Sequence, residues 1–308
     1  MNLERKGILY AVAAYGIWGI FPLYWKLLAH VDSIEVLVSR VIWSFVFTFI
    51  FIIIIQQRKL LMEDLKSLWK SKKLFFSLLG ASFVISCNWF LYIFSVNNNH
   101  VVDASLGYYI NPLITVLFGM IFFKEKLSKF QICAVIVAFI GVLSLTIGYG
   151  KVPWLALLIA FSFAIYSALK KQITLNATRG LVIETLFMLP FGLVYYIYIM
   201  STNKMSFLHV NWSTNILLIL GGIVTAIPLV LFAKGAKLLP QYAIGFIQYM
   251  TPTTVLILGI VLYHEPFTKT EFISFSFIWL SVIIFTFSTI FETRKRIQLQ
   301  QETANIDI

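Results

Sequence analysis

Two ionisable side chains, Arg40 and Glu184, stand inside long apolar runs of the chain. A charge within a bilayer costs roughly 2.5–3.5 kcal/mol on insertion scales, so a charge kept there is a candidate for function. Arg40 lies about 9 Å into its run at about 1.5 Å per residue, and its planar guanidinium fork matches a carboxylate or a phosphate. Its long stem could instead carry the head to the interface or to Glu35. Glu184 lies similarly deep in a later run. It could serve transport or pair with Lys170, Lys171 or Arg179.

Asn88 and Trp89 fall mid-run, where an amide can hold a substrate and an indole face can stack on it or bind a cation. A buried Asn can also simply join helices. Trp18, Tyr92, Tyr109, Gln248 and Tyr249 are further substrate-binding candidates, weighed against the interfacial belts that Trp and Tyr form. Pro112 and Pro252 each fall about a third of the way into a run. Proline frees a carbonyl and bends the axis, which suits a hinge, a gate or a packed bend. Glu125 and Glu265 end their runs beside Lys124, Lys126 and His264, and read as structural turn residues or dimer contacts rather than ligands.

Catalytic constellations are missing from this inventory. No Gly-x-x-x-x-Gly-Lys-Ser/Thr loop is present for ATP, and no His-Glu-x-x-His helix for zinc. The four histidines, His30, His100, His209 and His264, sit at run ends or between runs. Cys87 and Cys133 both lie in apolar stretches, where a thiol behaves as a small hydrophobe. No enzyme, cofactor or metal site is expected.

The elements that position these residues follow from composition. Of 308 residues 60% are hydrophobic and 12% charged, against about 25% charged in soluble proteins, so lipid is the expected solvent and partner. Crossing about 30 Å of hydrocarbon takes roughly 20 apolar residues in a helix, the structure that satisfies its own backbone. Ten segments qualify, near 6–28, 34–56, 73–96, 102–123, 130–149, 152–172, 179–200, 213–234, 241–263 and 270–291. The first resembles a signal peptide but is too long and lacks a small-residue cleavage site. The connections are short, and the polar tail after Arg296 is expected to fray.

Basic residues set the orientation. With the N-terminus inside, only Lys26, Lys151, Lys204 and Lys269 fall outside and Arg40 within a span, leaving 19 of the 24 Lys and Arg residues on the cytoplasmic side. Both termini are therefore expected in the cytoplasm of a cell-membrane protein. The formal charge of +11 is spent on topology, and nucleic acid is not an expected partner.

The chain also repeats itself. Residues 103–131 align without gaps on 243–271, matching Tyr109 with Tyr249, Pro112 with Pro252, Gly119 with Gly259, Glu125 with Glu265 and Lys129 with Lys269. Each repeat is a unit of five helices, 6–149 and 152–291, followed by a cytoplasmic tail at 292–308. Five is odd, so the second copy enters the membrane inverted, a recurring construction of secondary transporters with the site near the midplane. Inversion puts Arg40 and Glu184 in opposite leaflets, so no bridge between them is expected.

With Ala14-Tyr15-Gly16-Ile17-Trp18-Gly19, Arg40-Val41-Ile42-Trp43-Ser44, Asn88-Trp89-Phe90-Leu91-Tyr92, Gly107-Tyr108-Tyr109-Ile110-Asn111-Pro112, Thr225-Ala226-Ile227-Pro228 and Gly245-Phe246-Ile247-Gln248-Tyr249, the sequence resembles the EamA branch of the drug/metabolite transporter superfamily, and closely the RarD-like permeases. One departure is Ser39, where many relatives carry His before the Arg. The resemblance implies an all-α permease of ten helices in two inverted repeats, both termini inside, and a cavity role for Asn88 and Trp89. The expected function is secondary transport of a small organic metabolite, such as an amino acid, or a drug-like compound, by alternating access. A coupling ion such as H+ and a homodimer stay open, as do a non-transporting receptor or scaffold and an intramembrane enzyme.

Overall fold

The computed structural model describes residues 3–97, 101–150, 152–262, 264 and 268–306. The described residues form α1 (Leu3–Lys26), α2 (Ser33–Ile54), α3 (Arg58–Lys70), α4 (Lys72–Asn97), α5 (Val101–Phe122), α6 (Lys129–Tyr149), α7 (Trp154–Gln172), α8 (Ala177–Ser201), α9 (Trp212–Leu238), α10 (Gln241–Gln248), α11 (Met250–Leu262) and α12 (Lys269–Ile306), with no strand among them. Counting α10 and α11 as one crossing, ten helices are long and apolar enough to span a membrane.

Polar caps set several boundaries. Asp32 accepts from the backbone of Ile34 and Glu35 at the start of α2, and Asn176 from Thr178 and Arg179 at the start of α8. Asn211 does the same for α9, and Ser128 with Gln131 forms a reciprocal capping box on α6. Each satisfies backbone N–H groups that the helix itself leaves unpaired. Gly150 ends α6 at φ +76°, a left-handed conformation open to glycine.

Three features depart from expectation. The basic connection after α2 is a helix, α3, burying Leu61 and Leu68. The ninth crossing is broken at Tyr249. Pro252, in the first turn of α11, has no N–H to offer the Gln248 carbonyl. Its repeat mate Pro112 sits inside an unbroken α5. Finally, α12 does not fray after Arg296 but continues to Ile306.

Every long helix makes its closest packing with the other half of the chain. α1 lies on α9 and on α10 and α11, while α7 lies on α4 and α5; α2 lies on α9, and α8 on α4. Exchanging the halves turns each of these contacts into its partner. The pairs α2 with α8, α5 with α10, and α6 with α12 map onto themselves. This is the pattern a pseudo-two-fold axis between the repeats requires. The two repeats are thus interleaved into one body around shared cores.

Small residues permit the crossings, as in membrane helix packing generally. A Cβ at Gly222 of α9 would lie 2.4 Å from the Trp43 carbonyl carbon of α2, and one at Gly245 of α10 would lie 2.8 Å from the Pro112 carbonyl oxygen. The outer faces carry exposed Phe83, Phe139, Phe191 and Phe287. Such a belt suits lipid, because soluble proteins rarely leave large contiguous apolar surfaces uncovered.

Candidate functional site

A cavity of about 700 Å³ opens where α1 ends and α2 begins. Its mouth is formed by Lys26, Leu28, Ala29, Val31 and Ser33, and it descends between α1, α2, α4, α5, α9 and the α10–α11 break. Arg40 projects into it from α2. The guanidinium carbon lies 4.6 Å from the centre of the Trp25 ring and 4.7 Å from that of Trp89. Its Nε donates to Thr225 Oγ1, 3.0 Å away in the middle of α9. Cation–π contacts of this kind contribute about 2 kcal/mol or more once desolvated, which offsets much of the cost of a cation at this depth. Glu35 is not its partner, because that carboxylate accepts from the backbone N–H groups of Ser206 and Phe207 at 2.8–3.0 Å. Among the described residues no carboxylate forms an ion pair with Arg40.

Trp18, Arg40, Asn88, Trp89, Tyr92, Tyr109 and Gln248 all line this cavity, although they come from five helices. Trp18 sits in its floor, in edge contact with Tyr15 at 5.3 Å and with Phe163 at 5.8 Å. Tyr92 packs against Tyr108 at 5.7 Å. Tyr109 meets Phe275 edge-on at 4.9 Å, and its hydroxyl approaches the Pro252 carbonyl at 3.5 Å. Gln248 accepts from Thr115, which is also bonded to Asn111. Asn88 spends its N–H groups on the Ile159 carbonyl and the Ser162 hydroxyl at 2.8 and 2.9 Å. It therefore joins α4 to α7 and turns only its remaining surface to the cavity.

Two candidates lie elsewhere. Tyr249, 2% exposed, is packed with Phe246 in the second core rather than facing the cavity as its repeat mate Tyr109 does. The break in the crossing falls at this residue, so the two matching tyrosines are presented differently. Glu184 lies below the floor in an ion pair with Lys170, both nearly fully buried, and accepts from Tyr166 at 3.4 Å. Its charge is thereby neutralised. Trp25, Tyr108, Phe163 and Thr225 line or support the cavity and were not among the sequence candidates. Trp25 stands next to Lys26 near a span end, the usual place of an interfacial anchor, so its pattern pointed elsewhere.

The opposite face is shut by polar contacts. Glu125 accepts from Lys171 at 2.6 Å and from the backbone N–H groups of Gln241 and Tyr242 at 2.7 and 3.0 Å. One carboxylate thus ties the end of α5, the end of α7 and the N-terminus of α10, where the helix dipole favours an anion. Lys237 donates to the Leu175 carbonyl. Arg179 joins α8 to Asp64 of α3 and to Gln57. Glu265, the mate of Glu125, lies outside the described residues. No group of His, Cys, Asp and Glu among the described residues could hold a metal.

Ten membrane-crossing helices around a solute-sized cavity, closed at one face and open at the other, define a multi-pass membrane protein with the architecture of a permease. The chain belongs to the EamA-like transporter family, which matches residues 5–147 and 151–287. It is 44% identical over 93% of its length, and 95% of the relative's, to "Uncharacterized transporter YojE" of Bacillus subtilis. It is 40% identical over 94% of its length, and 97% of the relative's, to "Protein RarD" of Escherichia coli. A solved crystal structure covering 92% of the chain and 98% of its own has a TM-score of 0.71 at 17% identity, a likeness of fold.

Proposed function

We propose that this protein is a secondary permease that carries a small organic solute across the cytoplasmic membrane by alternating access, without catalysis. The observation that carries the reading is the one-sided cavity between two interleaved, mutually exchangeable halves. In such a pair, each half can adopt the other's conformation, which closes the open face and opens the closed one. The basic-residue distribution supports cytoplasmic termini, so the cavity faces outward in the conformation described.

Seven of the nine substrate-binding candidates line the cavity, and these residues receive the solute. The α10–α11 break and Pro112 are the proposed hinges. A non-transporting receptor would keep its cavity on one face.

The test is two-sided labelling. In a background lacking Cys87 and Cys133, Ser105→Cys at the cavity wall and Thr185→Cys below the floor are exposed to an impermeant maleimide from either side of oriented vesicles. Alternating access predicts outer labelling of the first and slow inner labelling of the second. Absence of any inner labelling at Thr185→Cys would sink it.

A further inference from the structure

Arg40 lines the cavity, and no Asp or Glu whose side chain is described does. Glu35, Glu125 and Glu184 are each committed to partners outside it.

Arg40 is held in a particular way. The guanidinium carbon lies over the rings of two indoles, Trp25 and Trp89, and Thr225 takes Nε. The terminal Nη1 and Nη2 groups carry no hydrogen bond to a described residue, which leaves them available to a solute in the cavity that Arg40 lines. That edge offers two parallel N–H bonds, the geometry that meets the two oxygens of a carboxylate. Around it stand Trp18, Trp25, Trp89, Tyr92, Tyr108 and Tyr109, an apolar and aromatic lining suited to a hydrocarbon body. The volume, about 700 Å³, falls in the range of pockets that enclose small organic ligands.

We infer that the solute is an organic monocarboxylate with an apolar, ring-sized body, its carboxylate on the Nη edge of Arg40 and its body against the indoles and phenols. This rests on the permease reading and goes further, because among the side chains described no carboxylate lines the cavity to meet the ammonium of a zwitterionic amino acid.

The inference is tested by binding, separately from flux. Purified full-length protein is titrated in thermal-shift and calorimetric assays with 3-phenylpropionate, its neutral amide, 3-phenylpropylamine, L-phenylalanine and phenyl phosphate. The carboxylate is expected to bind and stabilise, with the amide and amine at least tenfold weaker. Arg40→Gln should weaken the carboxylate at least tenfold, which is about 1.4 kcal/mol; Arg40→Lys should fall between. Comparison within the ligand series on the unmodified protein needs no variant to fold. Equal or better binding by amide, amine, L-phenylalanine or phenyl phosphate overturns the inference, as does no binding by any of them at millimolar concentration. Carboxylate binding without flux in vesicles supports the inference and overturns the permease reading. Flux of a neutral or cationic solute with no carboxylate binding does the reverse.

Discussion

Removing the charge of Glu125 should unlatch the closed face. The carboxylate holds Lys171 and two backbone N–H groups of α10 at 2.6–3.0 Å. In Glu125→Gln one oxygen survives as an acceptor, while the amide now presents N–H groups to other donors. Hydrogen bonds to charged groups contribute about 1.5–3 kcal/mol each. Both partners are partly exposed, so we discount the lost contacts to about 2 kcal/mol in total. At about 1.4 kcal/mol per tenfold, the conformation open to the opposite face should gain about 30-fold in relative population. Its labelling rate is the observable, since a minor state reacts in proportion to its population. Thr185→Cys in vesicles with the inner face accessible should label about 30-fold faster in Glu125→Gln than in its parent, and Lys171→Gln should mimic the effect without adding to it. A rate within twofold of the parent, in protein of unchanged thermal stability, would refute the latch.

Other consequences follow from the packing. Glu184→Leu leaves Lys170 charged and unpaired in a buried site and should cost about 3–5 kcal/mol, read as a lower Tm in detergent; adding Lys170→Met should restore most of it. Gly222→Val drives a branched side chain into the Trp43 backbone and should cost about 1–3 kcal/mol or more, while the same change at Gly150, where a Cβ would meet nothing within 4 Å, should act only through its left-handed φ. Pro252→Ala restores an N–H at the break and should slow flux several-fold at normal membrane abundance. A C-terminal phosphatase active only outside the cytoplasm should be silent when fused after Ile308, and strong activity would invert the orientation.

Spans were legible to within about one turn because lipid imposes a single crude requirement, length of apolar run. Arg40 was legible for the same reason, as the exception to it. The break at Tyr249 was not, since Pro112 and Pro252 stand in matched sequence and only tertiary packing decides which helix opens. Nor was α3, although Leu61, Leu65 and Leu68 recur at helical spacing, because its basic character was fully accounted for by topology. The sequence leaves Glu184 open to a ligand role or an ion pair. Choosing between them needed the position of Lys170, which depends on how α7 lies against α8. Trp25 carried no signal distinguishing a cation cradle from an interfacial anchor.

The interleaving also constrains how the protein can be made. When the first repeat has been synthesised, Asn88 still lacks Ile159 and Ser162, Arg40 lacks Thr225, Ser39 lacks Tyr196 and Ser44 lacks the Gly222 carbonyl. These polar groups must wait in lipid, or beside the insertion machinery, until helices synthesised later arrive to receive them. Assembly is therefore a late, concerted event that the first half cannot complete by itself, and a nascent chain halted near residue 150 should persist as a set of inserted but undocked helices exposed to quality control.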